Sequence, residues 1–293
     1  MKEIIITILK ITTPFSVAFL VFAQGLQVSP SQVVAYFKER PWLILRSLVA
    51  VLVLVPLAAL GIILVLKPSP EVAIGLAILV SCPPAPMMFK TTSQMGKGNP
   101  GYMASMHLCL AALAIVTVPT LLYLLSIPLG FHAEVDLGAM TWTLSRTILI
   151  PICAGVAVRA FFPGFADKYG PMFDKAGNIG ILVLLVLASV KLFSLMLQME
   201  PWSYLVVVTV SVTALAIGHW FGSRDPNDRT DLAVESGVRH PALALAIGVT
   251  NLSPEKALPV LVPCVLVFML IAIVYLAGRK KSAAAREAVG SHA

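Results

Sequence analysis

"DLAVESGVRHPALALA", residues 231–246, places Glu235, Arg239 and His240 within six residues and follows them with Pro241. The rest of the stretch is largely apolar, in a chain that is 58% hydrophobic and 12% charged over 293 residues. A soluble domain of that length carries about twice this charged fraction. Gly237 and Pro241 break the helix that the apolar residues otherwise favour, since proline lacks a backbone donor and clashes with the preceding turn. Residues before a proline are pushed toward extended conformations, which puts Arg239 and His240 in or beside an unwound segment. Unwound backbone at membrane depth is tolerated only where protein or a water-filled cavity satisfies its polar groups. The stretch therefore predicts a broken membrane helix with ionisable groups at its break.

Working outward, the mean hydropathy is +0.92, and apolar runs near 20 residues recur from end to end. We expect a polytopic all-α membrane protein with nine spans, near 4–26, 42–66, 71–96, 100–127, 138–161, 176–198, 202–222, 229–250 and 257–278. Each is long enough to cross a hydrocarbon core of about 30 Å. "VFAQ" (21–24) offers a small-residue cleavage site, but Lys10, Thr12, Thr13 and Pro14 interrupt any compact signal core, so we expect the segment to be retained. Cys82, Cys109, Cys153 and Cys264 fall inside spans without metal-ligand or CxxC spacing and read as small buried hydrophobes.

The net charge of +7 comes from dispersed basic residues flanking spans, which argues against nucleic acid and for topology signals. Thirteen basic residues fall on one side: Lys38, Arg40, Arg46, Lys97, Arg159, Lys168, Lys175, Arg224, Arg229, Arg279, Lys280, Lys281 and Arg286. Three fall on the other: Lys2, Lys67 and Lys256. The positive-inside rule then places the N-terminus outside and a basic tail, 279–293, in the cytoplasm.

A second break lies in span three, "AILVSCPPAPMMFKTTSQMGKGN" (77–99), where Pro83, Pro84 and Pro86 forbid a continuous helix. Spans three and eight run in opposite directions. Opposed interrupted helices are the sequence sign of an inverted-repeat secondary transporter. The chain, 1–293, reads as one transporter domain. Its first repeat, about 4–127, lacks its first helix, and the second covers about 138–278. The competing structural reading is two proline kinks in an ordinary bundle.

These motifs resemble the bile acid:sodium symporter family. "SCPPAP" with "GKGN" (81–99) is similar to its Cys-Pro-Gly-Gly…Gly-Asn signature, and "VESGVRHPALALA" (234–246) to its Glu-x-Gly-x-Gln-Asn-x-x-Leu-Ala signature. "GLQVSP" (25–30) is similar to the end of another family helix. The resemblance implies a panel domain, a core domain with two crossed helices, alternating access, and two sodium ions near the crossing. It implies that Glu235 keeps a family sodium-ligand position, whereas Arg239 and His240 replace the family's Gln and Asn. Val51 stands where a Gln on the preceding helix is expected, and "PAPMMFK", ending in Lys90, replaces a Ser-Asn pair. The expected hydroxyl positions of the next helix fall near Met103 and His107, with Ser105 nearby.

Sodium needs oxygen ligands, and arginine has no lone pair to offer. We therefore expect no sodium site: Lys90 and Arg239 stand as fixed cations, and Arg239 pairs with Glu235 if the backbone between them stays helical. Lys90 snorkelling toward an interface is the alternative for that residue. Arg146 and Lys191 read as snorkelling or paired structural charges, His219 as interfacial, and Asp231 as a capping or helix-dipole residue. His107 reads first as a packing residue and second as a proton relay. The candidate ion and substrate residues are thus Glu235, Arg239, His240, Lys90, His107 and Ser105, with breaks at Pro83, Pro84, Pro86, Gly237 and Pro241.

The expected function is secondary transport of a small organic anion across the inner or plasma membrane, independent of sodium and open to coupling through protons on Glu235, His240 or His107. The expected partners are the bilayer and the anion, with no cofactor. The alternatives are a conventional sodium-coupled symporter and a ligand-binding receptor without flux. An intramembrane enzyme is disfavoured, because no His-Glu-x-x-His, Gly-x-Ser-x-Gly or paired-aspartate motif lies in any span.

Overall fold

The computed structural model describes residues 15–16, 18–27, 30–85, 92, 100–132, 138, 141–142, 145–252 and 254–290. Among them every regular element is helical, apart from an isolated antiparallel bridge between Pro84 and Arg239. Among the described residues, four helices are long and apolar enough to cross a membrane: Pro41–Leu66, Ser105–Leu129, Pro201–Phe221 and Glu255–Ser282. Twenty-one residues, the shortest of these, rise about 32 Å, which matches the hydrocarbon thickness. Their outward faces are apolar too, with Val65 77% and Val116 66% exposed. Helices apolar all round but buried on only one side are built for lipid.

Shorter apolar helices, Ala18–Gln27, Pro70–Ser81 and Ile150–Phe161, lie within the expected first, third and fifth spans or just past their ends. The eighth span divides as expected into Pro226–Gly237 and Pro241–Asn251. Other boundaries differ from the sequence reading. Residues 30–39, expected as a connection, form the helix Pro30–Glu39. The helix expected from 176 begins at Pro163, and the last helix runs from Pro254 through Gly290, so most of the basic tail is helical. Of the cysteines, Cys82 and Cys264 are buried as expected, but Cys109 is half-buried and Cys153 exposed.

The second broken helix is seated by its neighbour Pro201–Phe221, against which Pro226–Gly237 packs. Gly218 permits the contact, because a Cβ there would lie 2.4 Å from the Leu232 carbonyl oxygen and 2.6 Å from the Ala233 Cα. Proline starts both halves, at Pro226 and Pro241, where its missing N–H is one the helix cannot use. Asp225 caps the first half by accepting from the Asn227 amide at 2.8 Å. Asp231, which the sequence suggested as a capping or helix-dipole residue, is not the cap and lies fully buried in the second turn.

Candidate functional site

The two breaks meet. The Ala85 amide donates to the Val238 carbonyl at 3.2 Å, and the His240 amide donates to the Pro83 carbonyl at 2.8 Å. Each break thus satisfies polar groups that the other leaves open, as extended backbone inside a helical bundle requires. Val238 is extended (φ −122°, ψ 122°), so the helix ends at Gly237 and the next residues leave its axis.

That departure decides where Arg239 points. Pairing with Glu235 requires both residues on one helical face, and the extended Val238 removes that register. The guanidinium turns instead to backbone carbonyls: Nη1 donates to Cys82 at 3.2 Å and Nη2 to Val51 at 3.4 Å. Arg239 is only 2% exposed, and its Nε has no partner among the described residues.

Glu235 faces His107 instead, with Oε1 3.6 Å from Nδ1. Both side chains are buried, and Glu235 Oε2 and His107 Nε2 find no hydrogen-bond partner among the described residues. Ser105 is buried on the same helix as His107. His240 caps the second half-helix: its Nδ1 accepts from the Leu243 amide at 3.3 Å. An accepting Nδ1 puts the proton of the neutral ring on Nε2, which is buried and lacks an acceptor among the described residues. The place where the two breaks meet therefore holds two buried donors without described acceptors, Arg239 Nε–H and His240 Nε2–H, close to the N-terminus of Pro241–Asn251.

Of the sequence candidates, Glu235, Arg239, His240 and His107 gather where the breaks meet, with Pro83 and Pro84 on the first break paired to His240 and Arg239. Lys90 and Pro86 lie outside the described residues. Arg146 is exposed within a π turn, Ser145–Leu149, and Lys191 sits on the helix Pro163–Met196. His219 bonds Tyr275 through Nδ1 at 2.7 Å.

Two features escaped the sequence reading. One is the Val51 carbonyl, presented by a π turn over Ala50–Leu54. The other is the anchoring of the second broken helix by Asp228, fully buried, which accepts from Arg40 Nη1 at 2.8 Å and the Ser223 hydroxyl at 2.6 Å. A cation just before a span and a carboxylate in the first turn of another was the available signal.

Residues 14–199 match the model of the Sodium Bile acid symporter family, well over half of the chain and including the first break. The chain is 27% identical over 229 residues to a rice (Oryza sativa subsp. japonica) protein named probable sodium/metabolite cotransporter BASS2, chloroplastic, covering 75% of this chain and 53% of that protein. It is thus matched to about half the length of that relative. It is 25% identical over 250 residues to the uncharacterized sodium-dependent transporter YocS of Bacillus subtilis (strain 168), covering 82% of this chain and 74% of that one.

Proposed function

The chain belongs to the sodium bile acid symporter family, and from that premise we propose that it carries a small organic anion across the plasma membrane by alternating access, without sodium. Membership makes it a multi-pass membrane transporter and not an enzyme. The substrate's sign and the coupling are our own reading.

The observation that carries it is the guanidinium of Arg239, buried where the two breaks meet and donating to two carbonyls. A sodium ion at those oxygens would compete with donors already bound there and meet a permanent positive charge. The donors left over, Arg239 Nε–H and His240 Nε2–H, ask for an acceptor, and the N-terminus of the second half-helix adds positive potential. A carboxylate supplies both the lone pairs and the negative charge. Lys90 serves in this reading as a second fixed cation near the first break. Proton coupling through Glu235, His107 or His240 is compatible with it.

The opposing reading is sodium coupling, favoured by the names of both relatives. A receptor without flux is a third, separated from transport by comparing ligand binding with uptake. The substrate-class test is uptake of radiolabelled organic acids into proteoliposomes, with neutral and cationic solutes as competitors. We expect the acids to be taken up and to compete with one another. Uptake of neutral or cationic solutes that organic acids do not inhibit would overturn the anion assignment.

A further inference from the structure

The carbonyls that hold Arg239 are unusual for a specific reason. In the π turn, the Val55 amide donates to Ala50, five residues back, rather than to Val51. The Val51 carbonyl therefore loses its α-helical donor. Its π-type donor would be residue 56, and Pro56 has no N–H. Val51 is fully buried, so water does not make good the loss. The Cys82 carbonyl is stripped in the same way: Pro83 and Pro84 follow it, and the residue four positions on is Pro86. Prolines thus orphan two buried acceptors on different helices, and the Arg239 guanidinium reaches both with separate nitrogens, at 3.4 Å and 3.2 Å.

We propose that the Val51 and Cys82 carbonyls form a built receptor for a planar guanidinium, filled by Arg239, which positions the second break against both the first break and the π turn. The fit depends on shape as well as charge. A guanidinium has N–H groups diverging in one plane, so it meets the two acceptors with separate nitrogens, whereas a lysine ammonium must serve both from a single nitrogen. Pro56 is then part of the receptor. With an N–H at residue 56, the turn can relax to α-helix, the Val55 amide can return to Val51, and one acceptor is withdrawn. The inference shares Arg239 with the transport reading but uses neither substrate nor sodium, so either can fail without the other.

The test is thermal stability of purified full-length protein in detergent, without substrate, titrated with millimolar guanidinium chloride against matched choline chloride. For Arg239→Ala, free guanidinium should refill the receptor and raise the midpoint saturably by about 2–4 °C. Wild type, whose receptor is filled, and the Pro56→Ala/Arg239→Ala double variant, whose receptor has lost an acceptor, should show no such rise. Arg239→Lys, which keeps the charge, should be less stable than wild type, and Pro56→Ala should cost less stability when combined with Arg239→Lys than with Arg239 intact. That comparison decides the matter if Arg239→Ala does not yield folded protein. No guanidinium-specific rise in Arg239→Ala, an equal rise in the double variant, or full additivity of Pro56→Ala with Arg239→Lys would overturn the proposal.

Discussion

Asp228 and Arg40 make an ion pair whose halves are unequal. The carboxylate is fully buried, while Arg40 is 47% exposed. Removing Arg40 leaves Asp228 with the Ser223 hydroxyl and the favourable field of a helix N-terminus, and such part-exposed pairs contribute about 0–1 kcal/mol. Removing Asp228 strips an acceptor from both partners at the start of the second broken helix, which costs about 1–3 kcal/mol. Asp228→Ala should therefore lower the thermal midpoint clearly more than Arg40→Ala, and equal losses would contradict this account of the anchor. At this scale the sequence was only partly legible. Glu235, Arg239 and His240 stood out because charge is costly inside an apolar span. Their partners did not, because the direction of Arg239 depends on one extended residue, Val238. Asp231 was read as a capping or helix-dipole residue, and the capping falls to Asp225 instead, although Asp225 followed by Pro226 is itself a helix-start signal.

Among the elements, the packing of Pro201–Phe221 on Pro226–Gly237 rests on backbone contact at Gly218. Alanine there gains up to about 1 kcal/mol in helix propensity, but its Cβ meets a carbonyl oxygen and a Cα that cannot swing aside. Overpacking of this kind costs about 1–3 kcal/mol, so Gly218→Ala should destabilise. Gly61→Ala, mid-helix with nothing within 4 Å, should be neutral or stabilising. Equal midpoints for the two variants would mean that the helices do not touch at Gly218. The break between Pro226–Gly237 and Pro241–Asn251, and the stop of Pro70–Ser81 before Pro83, could be read in advance because proline chemistry is local. The π turn could not: one residue of extra winding inside an unbroken apolar run changes no side-chain pattern, and only Pro56 hinted at it. Nor did the helix Pro30–Glu39 show itself, since it is short and lies between longer apolar runs where a loop was expected.

For the whole molecule, we propose nine crossings built as an inverted repeat, from the apolar runs and the opposed breaks, and the asymmetry of thirteen basic residues against three then leads us to place the N-terminus outside and the C-terminus in the cytoplasm. Reporter fusions after Lys97 and after Lys256 should report opposite compartments, the first cytoplasmic; a shared compartment would contradict the topology. The class of fold was legible from apolar run lengths alone. In the function we propose, the energy source turns instead on one side chain, Arg239, where the two breaks meet. A unit positive charge about 4 Å from a bound sodium ion costs roughly 4 kcal/mol at an effective dielectric of about 20, near a thousandfold in affinity. The most direct test of a fixed cation in place of a mobile one is therefore organic-anion uptake into proteoliposomes in sodium and in choline media, at matched pH and membrane potential, for wild type and Arg239→Gln. The account predicts equal wild-type uptake in both media, with Arg239→Gln either inactive or newly dependent on sodium. Saturable stimulation of the wild type by sodium would contradict it.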